Sequence, residues 1–148
     1  MERIEWFLEK ATEIGINRVT PLLCRYSERK EIKNDRLEKV MVSAMKQSLK
    51  AYLPQLDELT KLNEFIRQPF EGQKFIAHCE EQHRELLKNA IKSGGNYLIL
   101  IGPEGDFSTE EIELALNAGF LPVSLGDSRL RTETAGVVAC HTFNLLNE

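Results

Sequence analysis

Apolar residues near the start recur with helical spacing. Ile4, Phe7, Leu8, Ala11 and Ile14 fall at i, i+3, i+4, i+7 and i+10, which is one face of a 3.6-residue repeat. Gly15 follows, where a helix often closes on a left-handed residue. Residues 19–24 read as a strand. Pro21 points to an edge or an irregular start, because proline cannot donate to a ladder. A polar loop over 25–34 leads to a second helix, capped by Asn34. Its buried face is Leu37, Val40, Met41, Ala44, Ser48 and Ala51, and Pro54 lies beyond its end. Residues 56–59 form a weak strand pattern and 62–67 a short helix.

The second half alternates more clearly. Residues 74–79 read as a buried strand, followed by a polar helix near 82–92 and a break at Ser93, Gly94, Gly95 and Asn96. Tyr97, Leu98, Ile99, Leu100 and Ile101 are apolar without interruption. Such a run is expected of a central parallel strand covered on both faces. A helix over 107–116 carries a capping box in Ser108 and Glu111 and a hydrophobic staple in Phe107 and Ile112, and Gly119 closes it. Residues 121–125 form the next strand. A last helix starts at Arg131 or Thr132 and runs to Leu146, with Val137, Val138, Cys140, Phe143 and Leu146 in the core. Strands alternating with helices predict an α/β fold with a mostly parallel sheet, in one domain spanning 1–148.

Composition adds limits. The chain has 148 residues, 42% apolar and 28% charged, enough to form a core without disulfide or metal staples. Cys24, Cys79 and Cys140 are scattered and odd in number, as expected for reduced thiols in the cytoplasm. The adjacent pairs His78–Cys79 and Cys140–His141 lack metal-ligand spacing, so no metal is expected. No apolar run approaches the roughly 20 residues of a membrane span, and the acidic, amphipathic start is not expected to be a signal peptide. Net charge is −4, but residues 18–50 hold nine basic and four acidic side chains, +5 against −9 elsewhere. That stretch is either a surface for a polyanion or a solvated helix face.

In open α/β sheets ligands bind beyond the carboxyl ends of strands. Two glycine-bearing loops leave strand ends here, over 101–108 and 125–135, with Gly102, Gly105 and Gly126 allowing tight turns or close approach to a ligand. Neither matches a dinucleotide or phosphate-loop pattern. Glu104 and Asp106 would repel a pyrophosphate and suit a cationic ligand, so a sulfonium cofactor fits better than a dinucleotide. The alternative for Asp106 is stabilisation of the following helix through its dipole.

Four segments, over 6–15, 44–50, 101–108 with Glu111, and 125–135, resemble the RsmE-type 16S rRNA (uracil-N3)-methyltransferases of the SPOUT class. The last two are the specific ones. The resemblance implies an α/β knot with the C-terminal segment threaded through a loop, a feature rare among protein folds. It implies S-adenosyl-L-methionine as cofactor, a homodimer, and a uridine of 16S rRNA in the small ribosomal subunit as substrate. The cofactor residues would be His78, Ile101, Gly102, Pro103, Glu104, Gly105, Leu125, Gly126, Leu130, Thr132, Thr134 and Ala135. Family members also carry an N-terminal PUA-like RNA-binding barrel, which this sequence is expected to lack. Asp106 stands where the family usually has glycine, and Lys50 where it often has arginine.

N3 methylation requires loss of the imide proton. Arg131 is the candidate for stabilising the anionic uracil. Glu133 is a base, an orienting group for Arg131, or simply an acidic first-turn residue. Thr132 and Thr134 bind ligand or cap the helix, and His78 touches the pocket or only ends a strand. Arg25, Arg29, Lys30, Lys46 and Lys50 are candidate rRNA phosphate contacts, although Gln47 and Lys50 could instead line the active site. Trp6 reads as core or dimer interface. Two other functions stay open: a different α/β nucleotide-binding enzyme, and an RNA-binding module without catalysis.

Overall fold

The first helix, α1 (Arg3–Ile14), forms where the 3.6-residue pattern places it. Gly15 ends it at φ 124°, a backbone region that favours glycine. This computed structural model describes residues 2–27, 30–78 and 85–148. The strand expected over 19–24 is two short ones, β1 (Arg18–Val19) and β2 (Leu22–Leu23), separated at Pro21. β1 pairs in parallel with β3 (Gln55–Leu56), and β2 with β4 (Thr60–Lys61).

Between them lies α2 (Asn34–Gln47). Asn34 does not cap it, because the N-cap is Lys33 and makes no side-chain cap bond. The Asn34 amide instead donates to the Asp57 carbonyl at 3.1 Å, tying the helix start to the end of β3. The helix also stops earlier than its apolar pattern implied. Leu49 turns left-handed at φ 59°, and Lys50 N–H donates to Met45 O and Leu49 N–H to Lys46 O. That is a Schellman closure, and it leaves Ser48 and Ala51 outside the helix. The short helix α3 (Leu62–Ile66) forms as expected.

Among the described residues a four-stranded, all-parallel sheet has the order β6-β8-β5-β7. Its members are β5 (Gln73–Ala77), β6 (Glu85–Leu86), β7 (Tyr97–Ile101) and β8 (Leu121–Ser124). The expectation of a central β7 is corrected: β5 and β8 are central and β7 is at an edge. The apolar run reported coverage on both faces, which an edge strand can also have. Leu98 and Leu100 face one cluster with Cys24, Leu62, Ile66, Ile76, Phe107 and Ile112. Tyr97, Ile99 and Ile101 face another with Phe75, Leu87, Val123 and Ala139.

The helix expected near 82–92 is also corrected. Residues 82–84 lie outside the described residues. Glu85 and Leu86 are extended and pair with Val123 and Ser124, leaving only the single turn α4 (Leu87–Ala90) helical. The fifth helix, α5 (Thr109–Asn117), carries the predicted capping box: Ser108 accepts from Glu111 N–H, and Glu111 accepts from Ser108 N–H. Phe107 and Ile112 are both buried, as the staple requires.

The last helix, α6 (Thr132–Leu145), packs on α1 and on the sheet. A Cβ on Gly136 would stand 2.6 Å from the Phe7 ring, so glycine here sets the approach of α1 to α6. Asn144 and Cys140 both donate to the Gly15 carbonyl. Leu146, expected in the core, is 37% exposed, and Trp6 is 36% exposed. Trp6 is therefore no core residue within the chain. Arg36 lies 2.6 Å from buried Glu5 as an ion pair joining α2 to α1.

Candidate active site

Parallel pairing fixes where the loops start. Ala77 is in register with Ile101 on one side and with Val123 on the other. His78, Gly102 and Ser124 thus follow from one end of the sheet. The loops after β7 and β8 are rooted two strand spacings apart, about 10 Å, and curve toward each other. Thr132 Oγ1 donates to the Gly102 carbonyl at 2.9 Å, across 30 residues of sequence. The two glycine-bearing loops expected to share a site are therefore clasped directly.

The loop over 102–107 is a tight turn, with Asp106 N–H donating to Pro103 O at 2.8 Å. Asp106 sits at φ 62° and its carboxylate accepts from Phe107 N–H at 2.7 Å. A short acidic side chain tolerates this left-handed backbone because it bonds locally. The loop thus keeps the conformation a glycine would have, and the carboxylate faces backbone. Glu104 is exposed and paired with Arg3 at 2.7 Å. Its own backbone amide and the Arg3 guanidinium hold its carboxyl below the usual range. Both acidic groups already have partners within the chain, so neither carboxylate is left to attract a cationic ligand without first giving up a bond.

Gly102 and Gly105 are needed for packing. A Cβ on Gly102 would meet Asp106 Oδ1 at 3.1 Å and the Phe107 ring at 3.2 Å. One on Gly105 would stand 2.7 Å from Tyr26 Cβ, so the turn after β2 lies directly on this loop. Gly126 differs. At φ 136° it has no neighbour within 4 Å of an added Cβ, and Ser124 Oγ bonds both its amide and its carbonyl. Beside it, Leu125 and Gly126 border a cavity of about 170 Å³ with Leu86, Leu87 and Thr142. The backbone over 127–130 makes no backbone–backbone hydrogen bond to the described residues.

Arg131 is the N-cap of α6, exposed and without a side-chain cap bond. Neither Thr132 nor Thr134 caps this helix, which corrects the capping alternative, and Thr132 is the clasp instead. Glu133 Oε2 is buried and has no hydrogen-bond partner among the described residues. A buried carboxylate oxygen left without a hydrogen bond is costly. Ala135 is spent on the first helical bond, its amide donating to Arg131 O at 2.8 Å. Ile101 and Leu125 belong to the cluster on the α6 side of the sheet, and Leu130 is half-buried. His78 is buried at the strand end. The candidates His78, Ile101, 102–105, 125–126, 130–132 and 133–135 thus gather at one end of the sheet.

The candidate RNA contacts divide into two groups. Arg25 is exposed, with its amide held by Glu111 Oε2 at 3.0 Å, and exposed Lys30 follows. Arg29 lies outside the described residues. Lys46, Gln47 and Lys50 are exposed at the far end of α2. Sequence reasoning missed Tyr26, whose packing against Gly105 only the fold reveals.

Residues 1–144 match the model of a family described as RNA methyltransferase domain. A probable rRNA-methyltransferase from Porphyromonas gingivalis has a solved structure similar to this chain, at 48% identity and TM-score 0.90, covering 97% of this chain and 63% of that one. A methyltransferase from Legionella pneumophila, solved in complex with the bound cofactor SAM, is 30% identical with TM-score 0.90, covering 99% and 62%. Ribosomal RNA small subunit methyltransferase E of Rickettsia conorii is 27% identical over 141 residues, 94% of this chain and 58% of its own length. The chain spans somewhat under two thirds of the length of such relatives.

Proposed function

Because the chain belongs to the RNA methyltransferase domain family, we propose that it is an S-adenosyl-L-methionine-dependent methyltransferase acting on N3 of a uridine in 16S rRNA. The reading includes a knot, with the C-terminal segment threaded through a loop, and a cytoplasmic homodimer on the small ribosomal subunit. Clasping of the 102–107 loop to the start of α6 is consistent with the knot. Exposed Trp6, Leu145 and Leu146 are consistent with a partner copy.

The observation that carries the reading is the pair of loops joined at Thr132 and Gly102, next to Glu133, whose Oε2 is buried without a hydrogen bond among the described residues. The residues fit the cofactor: the loops after β7 and β8 meet at the Thr132–Gly102 bond, Gly126 leaves open space, and Leu125 and Gly126 border the cavity beside them. S-adenosyl-L-methionine would supply an electrophilic methyl group on a sulfonium. The chain's own part is to hold the acceptor in line, worth up to roughly 7–11 kcal/mol in favourable intramolecular cases, and to manage one proton. Arg131, exposed at the start of α6, pairs with a uracil carbonyl and stabilises the anion left when N3 loses its proton. Glu133 accepts that proton or orients Arg131.

The test is calorimetric titration with S-adenosyl-L-methionine, NAD and ATP, followed by transfer of labelled methyl to small-subunit rRNA. Binding of S-adenosyl-L-methionine alone, with label recovered as N3-methyluridine, is the expected result. Micromolar NAD or ATP binding without it, or label on another atom, refutes the reading.

A further inference from the structure

The turn after β2 is fixed onto the 102–107 loop at several points. Cys24 N–H donates to Ser27 Oγ at 2.9 Å and Ser27 N–H to Cys24 O at 3.2 Å, closing a tight turn. Arg25 N–H is held by Glu111, whose other carboxylate oxygen completes the α5 capping box. Tyr26 Cβ lies where a Gly105 side chain would begin. These contacts use the Tyr26 backbone and the root of its side chain, and the residue remains 48% exposed. The Arg25 guanidinium lies 5.8 Å from the ring centroid, and both residues fall within the basic stretch of the chain.

We propose that Tyr26 and Arg25 form a stacking platform for a single-stranded nucleotide beside the acceptor uridine, an inference that rests on the methyltransferase reading for what that nucleotide adjoins. Sequence-specific RNA enzymes work on unpaired bases, which stack on aromatic rings and guanidinium planes. A half-exposed tyrosine pinned to the proposed methyl-donor loop, with a cation over its ring, has that chemistry. The ring takes the base and the guanidinium the adjoining phosphate. Gly105 lets this platform sit against the donor loop without a gap.

Tyr26→Leu isolates the ring, because leucine keeps Cβ and Cγ against Gly105. Binding of a uridine-containing single-stranded oligoribonucleotide is expected to weaken about tenfold, the size of one lost base–aromatic stack. Affinity for S-adenosyl-L-methionine is expected to stay unchanged, and Tyr26→Phe to bind RNA as the parent does. Arg25→Ala should lower the slope of log K against log salt by about 0.7, one phosphate contact on a single strand. Unaltered RNA binding in Tyr26→Leu overturns the platform. So does a parallel loss of cofactor affinity, which makes Tyr26 a wedge under the loop, and so does failure of phenylalanine to restore binding. The RNA titration needs no methyl transfer. A protein that binds RNA through Tyr26 but transfers no methyl therefore overturns the methyltransferase reading and keeps the platform.

Discussion

Thr132→Val removes one hydroxyl and keeps the side-chain shape, so it tests whether the clasp between the two loops governs the site. The bond lost is Thr132 Oγ1 to Gly102 O at 2.9 Å, partly buried. A neutral bond of this kind contributes a net ~0.5–1.5 kcal/mol. Water can reach a partly exposed carbonyl, which places the expected cost near the middle of that range, about 1 kcal/mol. The clasp is present before any ligand arrives. Its loss therefore lowers affinity only as far as the free loops separate and must be brought together on binding. The net bond energy is the ceiling, about fivefold in Kd for S-adenosyl-L-methionine. Stability should fall by the same ~1 kcal/mol, about 3 °C in Tm for a chain of this size. Calorimetry and thermal melts on the parent, Thr132→Val and Thr132→Ser check both, with serine expected to behave as the parent. If valine leaves both Kd and Tm unmoved, the clasp does not organise the site. If serine fails as badly as valine, the methyl group and its packing matter more than the hydrogen bond.

Other outcomes follow from single contacts. Gly105→Val drives a branched side chain into Tyr26, 2.7 Å from where its Cβ would begin. Overpacking of this kind costs ~1–3 kcal/mol, and a Tm equal to that of the parent contradicts it. Burial pushes the Cys24 thiol up to about 12 and the Cys140 thiol to about 11, with the nearby Glu111 carboxylate adding to the first. Neither should react with a thiol reagent at pH 8 until the protein unfolds, and rapid labelling of either in the native state refutes this. Burial alone would raise the Asp57 carboxyl, but hydrogen bonds from Arg18, Thr20 and Gln55 outweigh it and hold it below the usual range. Its folded value is therefore the lower one. The stability it lends is present above its unfolded value and lost as pH falls through the folded value. The difference in Tm between the parent and Asp57→Asn should shrink on acidification below pH 4, and a constant difference down to pH 2 rules the linkage out.

What was legible in the sequence was local. The capping box of Ser108 and Glu111, the staple of Phe107 and Ile112, and the glycine that ends α1 all depend on residues within a few positions, and all form as read. Errors arose where a distant partner decides. Asn34 has the chemistry of a cap, but Asp57 O, 23 residues away, takes its amide. Glu85 and Leu86 lie in a helical pattern, yet β8 offers an open ladder and they are extended. The run over 97–101 reports covered faces and says nothing of neighbours in the plane of the sheet, so it predicts a central strand where β7 stands at the edge.

The candidate site shows the same division. Its loops were legible because turns at strand ends need glycine whatever lies across from them. The partners of its side chains were not. Glu104 and Asp106 suggested a cationic ligand from charge alone, but Arg3 takes one, more than a hundred residues earlier in the chain, and the Phe107 amide takes the other. Glu133, the second residue of an ordinary helical start, carries the weaker signal and is the acid of the site whose Oε2 is buried without a hydrogen bond among the described residues. For a ligand, the informative carboxylate is the one the fold leaves unsatisfied, because every group already paired must break a bond before it can bind. On that ground Glu133→Gln is the most informative substitution among the acidic residues of the site. It keeps the shape and removes the charge. A fall in methyl transfer without a fall in stability assigns Glu133 to the reaction, whereas a gain in stability with unchanged transfer leaves Arg131 without its proposed acidic companion.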